Sequence, residues 1–193
     1  DSAREKGLVL SREAIRFSAN AIRAVHRGEF DQARELIGSA RANVEGMSST
    51  LAKHGELFYG GFVHNGQKEY AEACITLALV AGETLPAPDE LGVSYAAYLN
   101  GLGEAAGEMR RHLLDTLREG KIERCEEILW AMDDIYSLLV TIDFHDAMTG
   151  GLRRTTDMVR GVLERTRGDF TMSLRQKQLE QKLDEFGNRL HKK

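Results

Sequence analysis

Apolar residues recur at helical spacing along most of the chain. Over residues 3–27, Leu8, Ile15, Ala19, Ile22 and Val25 keep that period and Gly28 supplies a stop. Asp31 is the expected N-cap of a second helix, with Ala33, Leu36, Ile37, Ala40 and Val44 on one side and an end towards His54-Gly55. The glycine pair Gly60-Gly61 predicts a kink within residues 57–62. A third helix is expected from Asn65 or Gln67 to about Gly82. Between Ala73 and Ala81 only Thr76 is polar, so this helix belongs in the middle of the protein. After the break at residues 86–89, a fourth runs to Glu119-Gly120 with Tyr95, Tyr98, Leu99, Leu102, Ala106, Met109, Leu113 and Leu117 as its apolar stripe. A fifth covers about 122–144. A sixth follows Gly150-Gly151 and stops at Arg167-Gly168. The last spans about 170–191 and carries Met172, Leu179, Leu183, Phe186 and Leu190.

This punctuation predicts an all-α fold: one domain over residues 1–193, built as a bundle of about seven helices. Composition agrees, being 42% hydrophobic and 29% charged. The two prolines lie close together at positions 86 and 88, leaving long stretches without a helix breaker on either side. A net charge of −4 argues against a generally basic nucleic-acid coat and leaves room for a local basic surface. Cys74 and Cys125 lack metal-type spacing and read as free buried thiols of a reducing, cytoplasmic compartment. No apolar run reaches membrane-spanning length, and residues 1–6 lack the apolar core of a signal peptide.

The chemistry concentrates in carboxylates. Glu69 and Glu72 stand at i and i+3 on the apolar third helix, so both project from the side that continues as Ala73, Thr76 and Val80. Unpaired buried charge is costly, and a bound cation would resolve the anomaly. The fourth helix supplies Glu104 and Glu108 at i and i+4, on a face shared with Asn100, Arg111 and Asp115 and opposite the apolar stripe. Taken alone, that face reads equally as solvated surface. Ala97, Gly103 and Gly107 border it, and small residues permit close approach of another helix. If the third helix packs there, four carboxylates converge into a hard-oxygen site suited to Mg2+ or Mn2+.

At these residues the chain resembles the translin/Trax family, and the likeness runs over nearly the whole length. Residues 11–16 (SREAIR) and 21–28 (AIRAVHRG) resemble the family's first helix and its turn. Residues 67–73 (QKEYAEA) resemble the QE(F/Y)VEA segment of Trax, the catalytic member, and residues 98–111 (YLNGLGEAAGEMRR) its YLLGVADLTGELMR segment. The resemblance implies a Trax-like protein, of the kind found as a single-chain archaeal homologue. It also implies metal-dependent cleavage of single-stranded RNA inside a hollow homo-oligomer, with single-stranded DNA as a further ligand and an octamer as the assembly. Glu69 and Glu72 match the glutamates of the first motif and Glu108 a further acid of the second. Glu104 stands where the family has an aspartate, one methylene longer. Non-catalytic translin lacks the acids of the first motif, which this chain has. A cation held by Glu69, Glu72, Glu104 and Glu108 would polarise a phosphodiester, with Lys68, Arg110 and Arg111 as candidates for the RNA backbone.

Other readings stay open at this stage. An i, i+3 glutamate pair is more often structural than catalytic. Lys68, Arg110 and Arg111 read equally as surface charges on amphipathic helices. His64 is a candidate for the site, though a cap or surface role is the commoner use. Asp143, His145 and Asp146 look like a metal cluster but sit at an expected helix end, where polar residues cap and solvate. An all-α nucleoside-triphosphate pyrophosphohydrolase also pairs helical acids around Mg2+, but its E-x-x-D motif is missing here. A non-catalytic translin-like protein binding single-stranded RNA or DNA is the other alternative. A di-iron bundle needs two Glu-x-x-His motifs, which neither glutamate segment supplies.

Overall fold

The computed structural model describes residues 2–55 and 60–190 and is all-α. Among the described residues the helices are α1 (Ser2–His26), α2 (Phe30–Leu51), α3 (Gly61–Ala81), α4 (Pro88–Leu91), α5 (Tyr95–Arg118), α6 (Ile122–Val140), α7 (Asp146–Thr149) and α8 (Leu152–Leu190). No helix among the described residues is long and apolar enough to cross a membrane.

Helix α3 is the centre of the packing, with α1 and α2 on one side and α5 on another; α5 also packs on α6 and α8. Its buried residues include Tyr70, Ala71, Ala73, Ile75 and Leu77, as expected for a helix apolar on most of its surface. Tyr70 and Ile75 are fully buried. Burial of such side chains stabilises by about 1.5–3 kcal/mol each, which makes this helix the anchor for the others. One apolar cluster joins α1, α2, α3 and α5 through Ala14, Val44, Ile75 and Leu102. A second joins α5, α6 and α8 through Leu113, Met132 and Leu163.

Helices α3 and α5 run in the same direction. Ser94 N–H donates to Gln67 Oε1 at their starts (3.1 Å), and Met109 and Leu113 share a cluster with Leu79 and Val80 near their ends. The connecting segment therefore travels back along the bundle before α5 begins.

Several boundaries differ from the expectation, each for a local reason. The N-cap of α2 is Glu29, whose carboxylate is held by the Arg27 guanidinium; Asp31 falls in the first turn, where a negative charge suits the helix dipole. Helix α3 starts earlier, at Gly61, so the expected kink is replaced at its C-terminal side by helix; residues 57–59 of that stretch lie outside the described set. The segment after Pro86 forms the short α4 first. Gly92, at φ +66°, ends it, and Ser94 caps α5 by accepting from Ala97 N–H (3.2 Å). Tyr95, placed on the apolar stripe, is exposed and donates to Asp89.

Helix α6 stops at Val140, short of Phe144. The expected last two helices are one, α8, running through Gly168 without a break. A helical glycine costs about 1 kcal/mol. Here Leu163 and Phe170, both buried against the α5–α6 cluster, hold the helix on either side of it. Both cysteines are free and buried, and burial pushes the Cys74 thiol up to about 12.

Candidate metal centre

Three carboxylates converge where α3 and α5 touch. Glu69 and Glu72 come from successive turns of α3 and Glu104 from α5, and one oxygen of each lies within 4.8 Å of the other two. Glycine makes this approach possible. A Cβ on Gly101 would stand 2.7 Å from Lys68 O and 3.0 Å from Glu72 N, so the α5 backbone rests directly on the turn of α3 that carries both acids. The sequence reading assigned this role to Gly103 and Gly107. Gly103 instead packs against Thr155, Leu139 and Val159, and Gly107 meets nothing within 4 Å. Ala97 is buried, as that reading required.

Burial differs among the three acids, and Glu72 is the most enclosed. Glu72 is 7% exposed. Burial first, then the charges of Glu69, Glu104 and Glu108, push its carboxyl up to about 9, so it holds a proton at neutral pH. Glu69 and Glu104 share one ammonium: Lys68 Nζ donates to Glu104 Oε1 at 2.6 Å and lies 3.3 Å from Glu69 Oε1. Burial opposes the charge on Lys68, but the bond to Glu104 and both carboxylates outweigh it and raise its pKa. The Lys68 ammonium is thus held by the acids.

Glu108 stands one turn beyond the triad and outside it. His26, at the end of α1, donates from Nε2 to Glu108 Oε2 at 2.5 Å, and its ring is buried with no partner on Nδ1. That hydrogen bond, against the cost of burial, holds the Glu108 carboxyl below its ordinary range. Glu108 therefore stays ionised and adds negative potential at Glu72.

Of the arginines, Arg110 points away from the acids, donating to Thr166 Oγ1 (3.1 Å) and Asp169 Oδ2 (2.6 Å) of α8. Arg111 is exposed, and its charge contributes to lowering the pKa of Glu108. His64 lies beside Lys68 and Glu104, and burial lowers its pKa. Asp143, His145 and Asp146 are exposed at the α6–α7 connection, and among the described residues they do not converge as ligands; His145 is the N-cap of α7.

Residue-level reasoning missed three participants. His26 is 82 positions from Glu108, and no local pattern announces the pair. Asn100, expected on a solvated face, is buried: its Nδ2 donates to Thr149 O (2.7 Å) and Ala96 O (2.8 Å), and its Oδ1 accepts from Thr155 Oγ1 (2.6 Å). Gly101 was the third. A polar residue between Leu99 and Gly101-Leu102 was the available signal for Asn100.

The donor set fits a hard divalent cation. Three carboxylate oxygens satisfy its ligand preference, and a carboxyl that is buried and protonated for want of positive charge is the kind a cation would ionise.

No family model matches the chain. An uncharacterised protein of Methanocaldococcus jannaschii is 29% identical over 185 residues, covering 95% of this chain and 82% of that one. Among solved structures, AfC3PO in complex with duplex RNA is 32% identical with a TM-score of 0.81, covering 89% of each chain. The crystal structure of AfC3PO is 31% identical at the same TM-score, covering 89% of this chain and 90% of that one. Apo-NeC3PO, at 22% identity and TM-score 0.81 over 89% and 90%, shares the fold. The helical order, the close α3–α5 contact and identity above 30% over most of both chains lead to one conclusion: the chain belongs to the translin family, that of the C3PO proteins.

Proposed function

We propose that this protein is a Trax-like, metal-dependent endoribonuclease, with Glu69, Glu72 and Glu104 as the ligands of Mg2+ or Mn2+ and a homo-oligomer, an octamer in the family's manner, enclosing the site. The convergence of those three carboxylates on one point carries the reading. The relative AfC3PO, solved with duplex RNA, supports RNA as the substrate class.

When bound, the cation supplies a Lewis acid that stabilises negative charge developing on the phosphoryl oxygens. The chain's own residues do the rest. Glu69, Glu72 and Glu104 would each present one carboxylate oxygen to the cation, and the buried Glu72 carboxyl would have to lose its proton to do so. Glu108, restrained by His26, keeps its charge without entering the triad. Lys68 pairs with the acids and lines the adjoining cavity, where it would meet the RNA backbone. The long Glu104 side chain reaches the cluster although the family carries an aspartate at that position.

The test is incubation of purified protein with single-stranded RNA, duplex RNA, DNA and free nucleoside triphosphates, each with Mg2+, Mn2+ or a chelator. Cation-dependent internal cleavage of single-stranded RNA is expected. The double variant Glu69→Gln/Glu72→Gln should lose at least about a hundredfold in rate while still binding RNA. Glu104→Asp should keep or raise activity. Wild-type cleavage by the double variant would place the catalytic site elsewhere. RNA binding with no cleavage under any cation would make this a non-catalytic, translin-like binding protein.

A further inference from the structure

A cavity of about 410 Å³ opens beside the triad, between the start of α3, the α5 face and the start of α8. His64, Asn65, Lys68, Glu104, Arg154 and Met158 are among its lining residues. Its volume lies in the range of about 300–1,000 Å³ typical of small-ligand sites. Its shape is fixed by a buried network. Asn100 ties the carbonyl of Thr149 to α5 and accepts from Thr155 of α8, which pins the Gly150-Gly151 corner over the cavity. Gly150 has φ +61°, and a Cβ there would stand 2.7 Å from His64 Cε1, so the imidazole packs directly on the glycine backbone.

The cavity shares Glu104 and Lys68 with the acidic centre and adds a cation of its own. Lys68 faces it from α3 and the exposed Arg154 from α8; among the described residues no carboxylate is within ion-pair distance of Arg154. An acidic centre repels the phosphates on either side of the one it cleaves. A polyanion crossing it needs positive charge within a nucleotide's reach, and Arg154 supplies that charge on a rigid helix. The half-buried imidazole of His64 lines the same cavity with one side seated on Gly150, and a flat ring held in this way is of the kind on which a base stacks.

We propose that this cavity is the subsite for the nucleotide next to the phosphodiester seated at the acidic centre, with Arg154 holding its phosphate and the His64 ring its base. The inference rests on RNA as the ligand, as argued above, and not on cleavage. Neither residue is a metal ligand.

The experiment is a fluorescence-anisotropy titration with a labelled single-stranded RNA dodecamer, in chelator, across a series of salt concentrations. Mn2+ affinity measured by calorimetry is the control on the acidic centre. Arg154→Gln should weaken RNA binding roughly fivefold to tenfold and flatten the salt slope by about one, with Mn2+ affinity unchanged and the kinetic loss mainly in KM. Arg154→Lys should restore most of the affinity. His64→Ala should weaken binding without moving the salt slope, because stacking involves no counterion release. Wild-type affinity and slope in Arg154→Gln would overturn the subsite while leaving the RNA reading intact. Failure of the wild-type protein to bind the dodecamer would overturn both. Binding without cleavage would remove only the nuclease reading.

Discussion

Burial and the surrounding acids push Glu72 up to about 9, against an ordinary 4.5. The folded protein thus holds a proton through a range in which the unfolded chain has lost it. Stability from this group is full below about pH 4.5 and falls as pH rises towards 9, by at most about 1.4 kcal/mol per unit. In chelator, the thermal midpoint should therefore drop between about pH 5 and 8.5. Glu72→Gln should flatten that slope and melt higher than wild type at the alkaline end. Saturating Mn2+ should flatten the wild-type slope, because the cation binds the deprotonated form. An unchanged slope in Glu72→Gln would show that another group titrates. The residue scale also marks how far the acids were legible. Glu69 and Glu72 announce themselves by spacing on an apolar helix, whereas the withdrawal of Glu108 to His26 depends on a side chain 82 positions away.

At the scale of elements, the centre depends on how closely α5 approaches α3. Gly101→Ala would place a Cβ 2.7 Å from Lys68 O and 3.0 Å from Glu72 N, both backbone atoms that cannot swing aside. The helices must separate, at a cost of about 1–3 kcal/mol. Glu104 then moves away from Glu69 and Glu72, so Mn2+ affinity should fall along with the melting temperature. Gly107→Ala, with nothing within 4 Å of its added Cβ, should gain up to about 1 kcal/mol from helix propensity and bind Mn2+ as before. Calorimetric titration of the two variants checks the pair; equal Mn2+ affinity would separate the glycine contact from the site. Most helix limits were readable because Gly28, Gly82, Gly120 and Gly150 adopt positive φ at real ends. Gly168 has the same residue type inside a helix, since tertiary burial of Phe170 decides its conformation. Which small residue meets α3 was likewise settled by packing, and no pattern in residues 101–107 distinguishes Gly101 from Gly103.

At the scale of the molecule, α8 runs past the body of the bundle and exposes Met172, Leu179, Leu183 and Phe186 at 58–70%. The last three follow the 4–3 spacing of a helix-pairing seam. Such a stripe fits burial against another copy, in keeping with a closed homo-oligomer. Light scattering at micromolar concentration should give a multiple of the chain mass, and Leu183→Glu/Phe186→Glu should lower it while circular dichroism retains the helix signal. A wild-type monomer would remove the enclosed-site reading.

Lys68 has a consequence beyond charge balance. Its ammonium is tethered to Glu104 and Glu69 and also lines the neighbouring cavity, so it would compete with an incoming cation for those oxygens. Cation loading would free it towards the subsite of Arg154 and so strengthen RNA binding beyond that seen in chelator. The two ligands are then heterotropically coupled, each raising the affinity of the other. Lys68→Met should bind Mn2+ more tightly than wild type, yet gain less RNA affinity when Mn2+ is added. Equal Mn2+ affinity in the two proteins would mean that the ammonium and the ion do not contend for the same oxygens.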